Sequence, residues 1–205
     1  MNKEGIIFVI SAPSGAGKTS LCKELIDIFP DLRHSVSYTT RPARAGEVHG
    51  RDYFFVPREE FLRMVAAGEF AEWAEVHGNL YGTSLRTLRE SRESGIDLIL
   101  DIDCQGARQL KQAFDGAVYI FILPPDFTEL RRRLVTRNLD APEVIERRIA
   151  AAAWEIGESS WYDYIIINDD FSTALSELKG VFLAEHCRAV RLQKLVAETF
   201  RPGSE

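Results

Sequence analysis

The sequence predicts an α/β fold in which a parallel sheet is flanked by helices and interrupted by a small, mostly β insertion and a helical lid. Three observations carry this. Four short apolar runs, at 6–10, 96–102, 117–123 and 163–168, are rich in β-branched residues and continuous rather than alternating. Such runs suit strands buried on both faces. Helical patterns separate them near 18–29, 84–94, 105–114, 126–137, 141–156 and 172–198, giving the βα alternation of a layered α/β domain. The stretch 35–56 breaks the rhythm, with Tyr, Thr, Val and Phe around Gly and Pro. It reads as short strands joined by loops.

The first strand, 6–10, is too short for a signal-peptide core and leads straight into Ser11-Ala12-Pro13-Ser14-Gly15-Ala16-Gly17-Lys18-Thr19-Ser20, which opens a helix. Residues 12–19 follow the P-loop pattern GxxxxGK(S/T), with Ala12 in the first glycine position. Small residues let backbone N–H groups turn inward around a polyphosphate, and the helix N-terminus favours negative charge. Lys18 brings a compact cation to the outer phosphates, and the Thr19 hydroxyl suits Mg²⁺. Asp101 ends the strand run at 98–101, the usual second anchor for that metal, directly or through water. For Asp101 alone, a strand-end residue without a ligand is the competing reading.

The insertion spans 36–90 and the lid 126–156, leaving 1–35, 91–125 and 157–205 as the core of one domain. In the lid, Asp126 with Glu129 and Asp140 with Glu143 each match a helix N-cap with an acidic third residue, and Pro142 is allowed in a first turn. Two helices with a short link make a hairpin suited to closing over a ligand.

Composition bounds the function. The 205 residues are 45% hydrophobic and 27% charged with a net charge of −6, which excludes a disordered or collagen-like chain and argues against a broad nucleic-acid-binding face. No apolar stretch reaches the length of a membrane helix. Cys22, Cys104 and Cys187 form no CxxC pair, and His34, His49, His77 and His186 form no metal-binding spacing, so a reducing, cytoplasmic setting is expected. Positive charge is local: residues 131–148 hold six arginines against three acids. A solvated helix face is the default reading of such a run.

Three further segments, TTRPARAGEVHGRDYFFV (39–56), GEFAEWAEVHGNLYGTS (68–84) and LDIDCQGAR (100–108), take the reading beyond a general NTPase. With the P-loop, they make the chain resemble the guanylate kinases over nearly its whole length. The resemblance implies transfer of the γ-phosphoryl group of ATP to GMP with Mg²⁺ as cofactor. ATP and GMP would be the ligands, with dGMP left open, no nucleic-acid polymer or membrane as partner, and a monomer or homodimer. It implies that Arg41, Arg44, Tyr53 and Tyr81 hold the GMP phosphate, that Ser37, Glu72 and Thr83 read the guanine, and that Asp103 shares the pocket. The donor types fit: guanidinium forks and phenols suit a phosphate dianion. Guanine offers N1–H and a 2-amino group side by side to one carboxylate, whereas adenine would face it with a lone pair. Arg137 and Arg148 match lid arginines that reach the transferring group, with Arg133 assisting, and Arg131, Arg132 and Arg147 remain solvated. Asn168 matches a position near the donor adenine; a turn residue is its plain alternative. One departure stands out: Val135-Thr136-Arg137-Asn138 has no glycine where the family's stretch is glycine-rich. Two rivals remain at this point. A sugar-phosphate kinase would not need a base reader, and a non-catalytic phosphopeptide-binding domain would not need Lys18 and Thr19.

Overall fold

The structure is a computed structural model that describes residues 4–76, 78–136 and 142–200. Five strands, β1 (Ile7–Ser11), β2 (Leu32–His34), β7 (Asp97–Asp101), β8 (Val118–Leu123) and β9 (Tyr164–Ile167), form a wholly parallel sheet in the order β2-β7-β1-β8-β9. Successive side chains of a strand point to opposite faces, so the continuous apolar run of β1 feeds two cores. Ile6, Phe8 and Ile10 pack with Leu21, Cys22 and Leu25 of α1 (Lys18–Ile28) and Ala174, Leu178 and Phe182 of α7 (Phe171–His186). Ile7 and Val9 pack on the other face with Leu88 of α3 (Leu85–Glu93) and with Cys104, Ala107 and Leu110 of α4 (Cys104–Ala113).

The insertion forms a second sheet, β4-β3-β6-β5, from β3 (Tyr38–Thr39), β4 (Phe54–Phe55), β5 (Phe70–Val76) and β6 (Asn79–Ser84). It is less purely β than the sequence suggests, because α2 (Arg58–Ala66) lies within it. Phe61 and Met64, three apart on one helical face, bury against Phe70 and Leu80 and give this sheet its own small core. The last helical pattern, 172–198, divides into α7 and α8 (Ala189–Thr199), because Arg188 between them is extended at φ −60° and ψ 130°. Tertiary contacts hold the break. Glu185, 1% exposed, accepts a hydrogen bond from the Tyr164 hydroxyl at 2.7 Å, and His186 Nε2 meets Asp97 Oδ2 at 2.9 Å. β2, a three-residue strand with two exposed side chains, carries almost no hydrophobic signal.

The stretch expected to form a lid contains α5 (Phe127–Thr136) and α6 (Pro142–Gly157), packed through Leu130, Leu134, Ile145 and Ala152. Asp126 caps α5, accepting the Glu129 N–H at 2.7 Å. Asp140, Arg137 and the link between the helices lie outside the described residues.

Candidate active site

The site lies at the carboxyl ends of the core strands, where an open parallel sheet ordinarily binds its ligands. After β1 the chain turns through Gly15 at φ +98° and Gly17 at φ +94°. A side chain at either position would strain the backbone. At Gly17 a Cβ would also stand 2.3 Å from the Asn168 amide nitrogen. Gly17 is the N-cap of α1 and offers no side chain to its free N–H groups, so the helix presents them to the loop's concave face. Asn168, 4% exposed at the end of β9, donates from Nδ2 to the Ala16 carbonyl at 2.7 Å and braces the loop from behind. Leu130 and Leu134 of the lid approach the space beside Gly15.

Lys18 extends to the end of β7. Its Nζ meets Asp101 Oδ1 at 2.5 Å and donates to the Ile102 carbonyl at 3.0 Å, while the Thr19 hydroxyl donates to Asp101 Oδ2 at 3.3 Å. Hydroxyl and carboxylate are hard oxygen donors, the kind Mg²⁺ takes one or two of while it keeps water and substrate phosphates. Glu155 of α6 is a residue that sequence reasoning missed. Its half-buried carboxyl is pushed up by burial and by Asp103, and is opposed by Lys18 and by the backbone N–H of Ser14, against which it lies. Arg148, two turns earlier on α6, shares that helical face. Arg133 is engaged by Glu129 at 2.6 Å and reaches the Asp169 carbonyl at 3.4 Å, beside Asn168. Arg131 pairs with Glu146 and Arg132 with Glu129, at the exposed surface.

A cavity of about 260 Å³ opens between the two sheets, lined by residues that include Ser37, Tyr53, Glu72, Tyr81, Asp101 and Asp103. His34, Ser35 and Asp52 line it as well, none of them given a role by the sequence. The β-bulge between Phe70 and Glu72 sorts consecutive residues of β5. Phe70 enters the small core, Ala71 the main core, and Glu72 the cavity. Glu72 is 7% exposed, and burial pushes its carboxyl up to about 6; Asp103 adds to the rise, and the hydroxyl and N–H of Thr83 oppose it. The hydroxyl contact is loose, short of a full hydrogen bond.

At the cavity's outer end, Arg41 donates to Glu47 Oε1 at 2.8 Å, sits 5.5 Å from the Tyr53 ring and approaches the Tyr81 hydroxyl. Glu47 also accepts the Arg44 N–H at 2.7 Å and so orders the loop carrying both arginines. Arg44 itself projects into solvent. Of the sequence-predicted base and phosphate residues, Arg41 and Thr83 therefore touch the cavity lining rather than form it. The buried thiols offer no nucleophile, since burial pushes Cys22 up to about 12 and Cys104 up to about 11.

Comparison with known proteins follows the same lines. A family model described as guanylate kinase matches residues 5–185. The guanylate kinase of Geobacter metallireducens is 67% identical over 203 residues, covering 99% of this chain and 100% of that protein. That of Geobacter sulfurreducens is 67% identical over 200 residues, with 98% of each chain covered. Among solved structures, guanylate kinase from Anaplasma phagocytophilum superposes with a TM-score of 0.71 at 36% identity over 98% of both chains.

Proposed function

The chain belongs to the guanylate kinase family, and from that membership and the site's geometry we infer how it moves the γ-phosphoryl group of ATP onto GMP. One observation carries the residue-level reading. Asp101 contacts both Lys18 and Thr19 of the phosphate-binding loop and also lines the cavity that holds Glu72. Donor and acceptor sites therefore meet at one strand end.

The loop from Ser11 to Ser20 cradles the ATP phosphates, with Lys18 on the outer ones and Asn168 keeping the loop's shape. Glu72, with Ser37, Thr83 and Asp103 around it, reads the guanine. Arg41, Arg44, Tyr53 and Tyr81 hold the GMP phosphate. Thr19 and Asp101 would hold Mg²⁺, Asp101 through water, and that ion would supply neutralising charge at the β- and γ-phosphate oxygens. Arg148 would reach the transferring group from α6, with Arg133 nearer the adenine side; the same role for Arg137 rests on the family resemblance alone.

In the reaction, an oxygen of the GMP phosphate forms a bond to the γ-phosphorus as the bond to the ADP oxygen breaks. The attacking oxygen is already an anion at neutral pH, so no base is required. What the protein supplies is alignment and positive charge where charge redistributes. Closure of the lid and the small sheet over the ligands keeps water from taking the phosphoryl group.

ADP release measured across a panel of nucleoside monophosphates tests this. GMP should give robust turnover that collapses in Lys18→Ala. Turnover with AMP or dTMP and none with GMP would overturn it.

A further inference from the structure

We propose that Gln109 is a positioning residue for guanine recognition, acting by holding the backbone next to Glu72. The proposal rests on the reading of Glu72 as the base reader. β5 is an edge strand of the small sheet, and its outward N–H and C=O groups have no strand partner among the described residues. At Trp73, the residue after Glu72, both groups are met by one side chain from the core. Trp73 N–H donates to Gln109 Oε1 at 3.0 Å, and Gln109 Nε2 donates to the Trp73 carbonyl at 3.1 Å. A primary amide reproduces the donor–acceptor pair that a neighbouring strand would present. Asn is one methylene shorter, a carboxylate cannot donate, and a lysine cannot accept.

The same helix sets Glu72 itself. Gly106 is buried on α4, three residues before Gln109 and therefore on the same face. A Cβ at Gly106 would stand 3.0 Å from Glu72 Oε2. Gly106 N–H is taken by the cap residue Asp103 at 2.8 Å. One face of α4 thus makes room for the carboxylate at Gly106 and fixes the backbone that carries it at Gln109. Rotation of β5 about its axis would move the carboxylate relative to a planar base, so the amide clamp limits the direction in which Glu72 can point. Gln109 is exposed and is not among the residues that line the cavity, so it acts on the site through β5, whose Glu72, Ala74 and Val76 do line it.

The test compares wild type with Gln109→Met, which keeps length and helix propensity but loses both hydrogen bonds, and with Glu72→Gln. Steady-state kinetics are measured with GMP and with IMP, whose base keeps N1–H and lacks the 2-amino group. Gln109→Met should raise KM for GMP roughly 3- to 10-fold, the scale of two exposed hydrogen bonds. It should narrow the GMP-over-IMP preference, with KM for ATP unchanged and the thermal midpoint lowered by no more than about a few degrees. Unaltered GMP kinetics and preference in Gln109→Met would overturn the proposal. So would an equal rise in both KM values, which would mark general loosening. If Glu72 is not the base reader, the failure looks different: Glu72→Gln would itself leave the GMP-over-IMP preference intact.

Discussion

Replacing Glu72 by Gln should separate recognition from stability in opposite directions. The carboxyl is 7% exposed and is pushed from 4.5 to about 6. That rise is a cost of holding a buried charge, about 2 kcal/mol at neutral pH, since one unit is roughly 1.4 kcal/mol. An amide of the same shape removes the cost, so the thermal midpoint of the free protein should hold or rise. Recognition suffers instead. Two guanine donors face one carboxylate, and hydrogen bonds to a charged group are worth about 1.5–3 kcal/mol each. An amide can accept only one of them and turns its own N–H against the other, while Thr83 on the far side also offers donors. The net loss is about 3–4 kcal/mol, or roughly 10²- to 10³-fold in kcat/KM for GMP. A coupled ADP-release assay with saturating ATP, together with a thermal melt, reads both quantities. A fall of less than tenfold, or a loss of activity that merely follows a lowered melting temperature, would refute the reasoning.

Two further outcomes follow from the same geometry. On the proposed reading Glu72 accepts from guanine as the carboxylate, so KM for GMP should rise as pH falls through about 6, roughly tenfold by pH 5. The Glu72→Gln profile should keep only the part due to the GMP phosphate, and an identical profile in both proteins would contradict the assignment. For the free protein the sign is reversed: the folded state binds the extra proton between pH 4.5 and 6, so this group makes the fold less stable as pH rises through that window. Phe61→Ala removes a fully buried ring stacked 4.4 Å from Phe70 and should cost about 3–5 kcal/mol, seen as a lower denaturant midpoint. KM for GMP should rise before KM for ATP does, because the cavity depends on the small sheet's core and the P-loop does not.

The parts of the site that act through local geometry were legible in the residues themselves; of the parts that act across elements, Ser37, Tyr53, Glu72, Tyr81 and Asp103 were named only through the family resemblance, and others were not legible at all. Gly15 and Gly17 announce a left-handed turn before a helix, and Asp126 announces a cap, because those requirements are met within a few residues. Asp101 was visible because a strand end is a place in the chain. Gln109 and Glu155 carry no such mark: each looks like an ordinary polar helix residue until the fold sets it against Trp73 or Ser14. The hidden helix α2 is instructive in another way. Its apolar residues at 61 and 64 have helical spacing, and Gly68 after it has a positive φ, but nine residues of weak pattern amid short strands were outweighed by the β-rich surroundings. The break before α8 had no local signal at all, since it is set by what Glu185 and His186 bind at the far end of the sheet.

The acidic surroundings of the P-loop bear on how the empty and loaded states are held. Lys18 is flanked by Asp101 at 2.5 Å, with Glu155 close enough to feel its charge. A half-buried ammonium without a partner would be costly, and so would a half-buried carboxylate, so each is kept paired with the other. Polyphosphate arriving at the loop competes with these acids for Lys18 and for the Ser14 N–H. A chain of net charge −6 that places acids around its phosphate cradle therefore binds phosphate only where it can exchange these internal pairings for external ones. On the proposed reading, in which Thr19 and Asp101 would hold Mg²⁺, a polyphosphate carrying a divalent cation would leave Asp101 with a counter-charge once Lys18 turned to the phosphate. A bare polyphosphate would leave that carboxylate without a counter-charge. On that reading the acid at this strand end would favour the metal-bound form of the donor, although it would weaken the binding of a bare one.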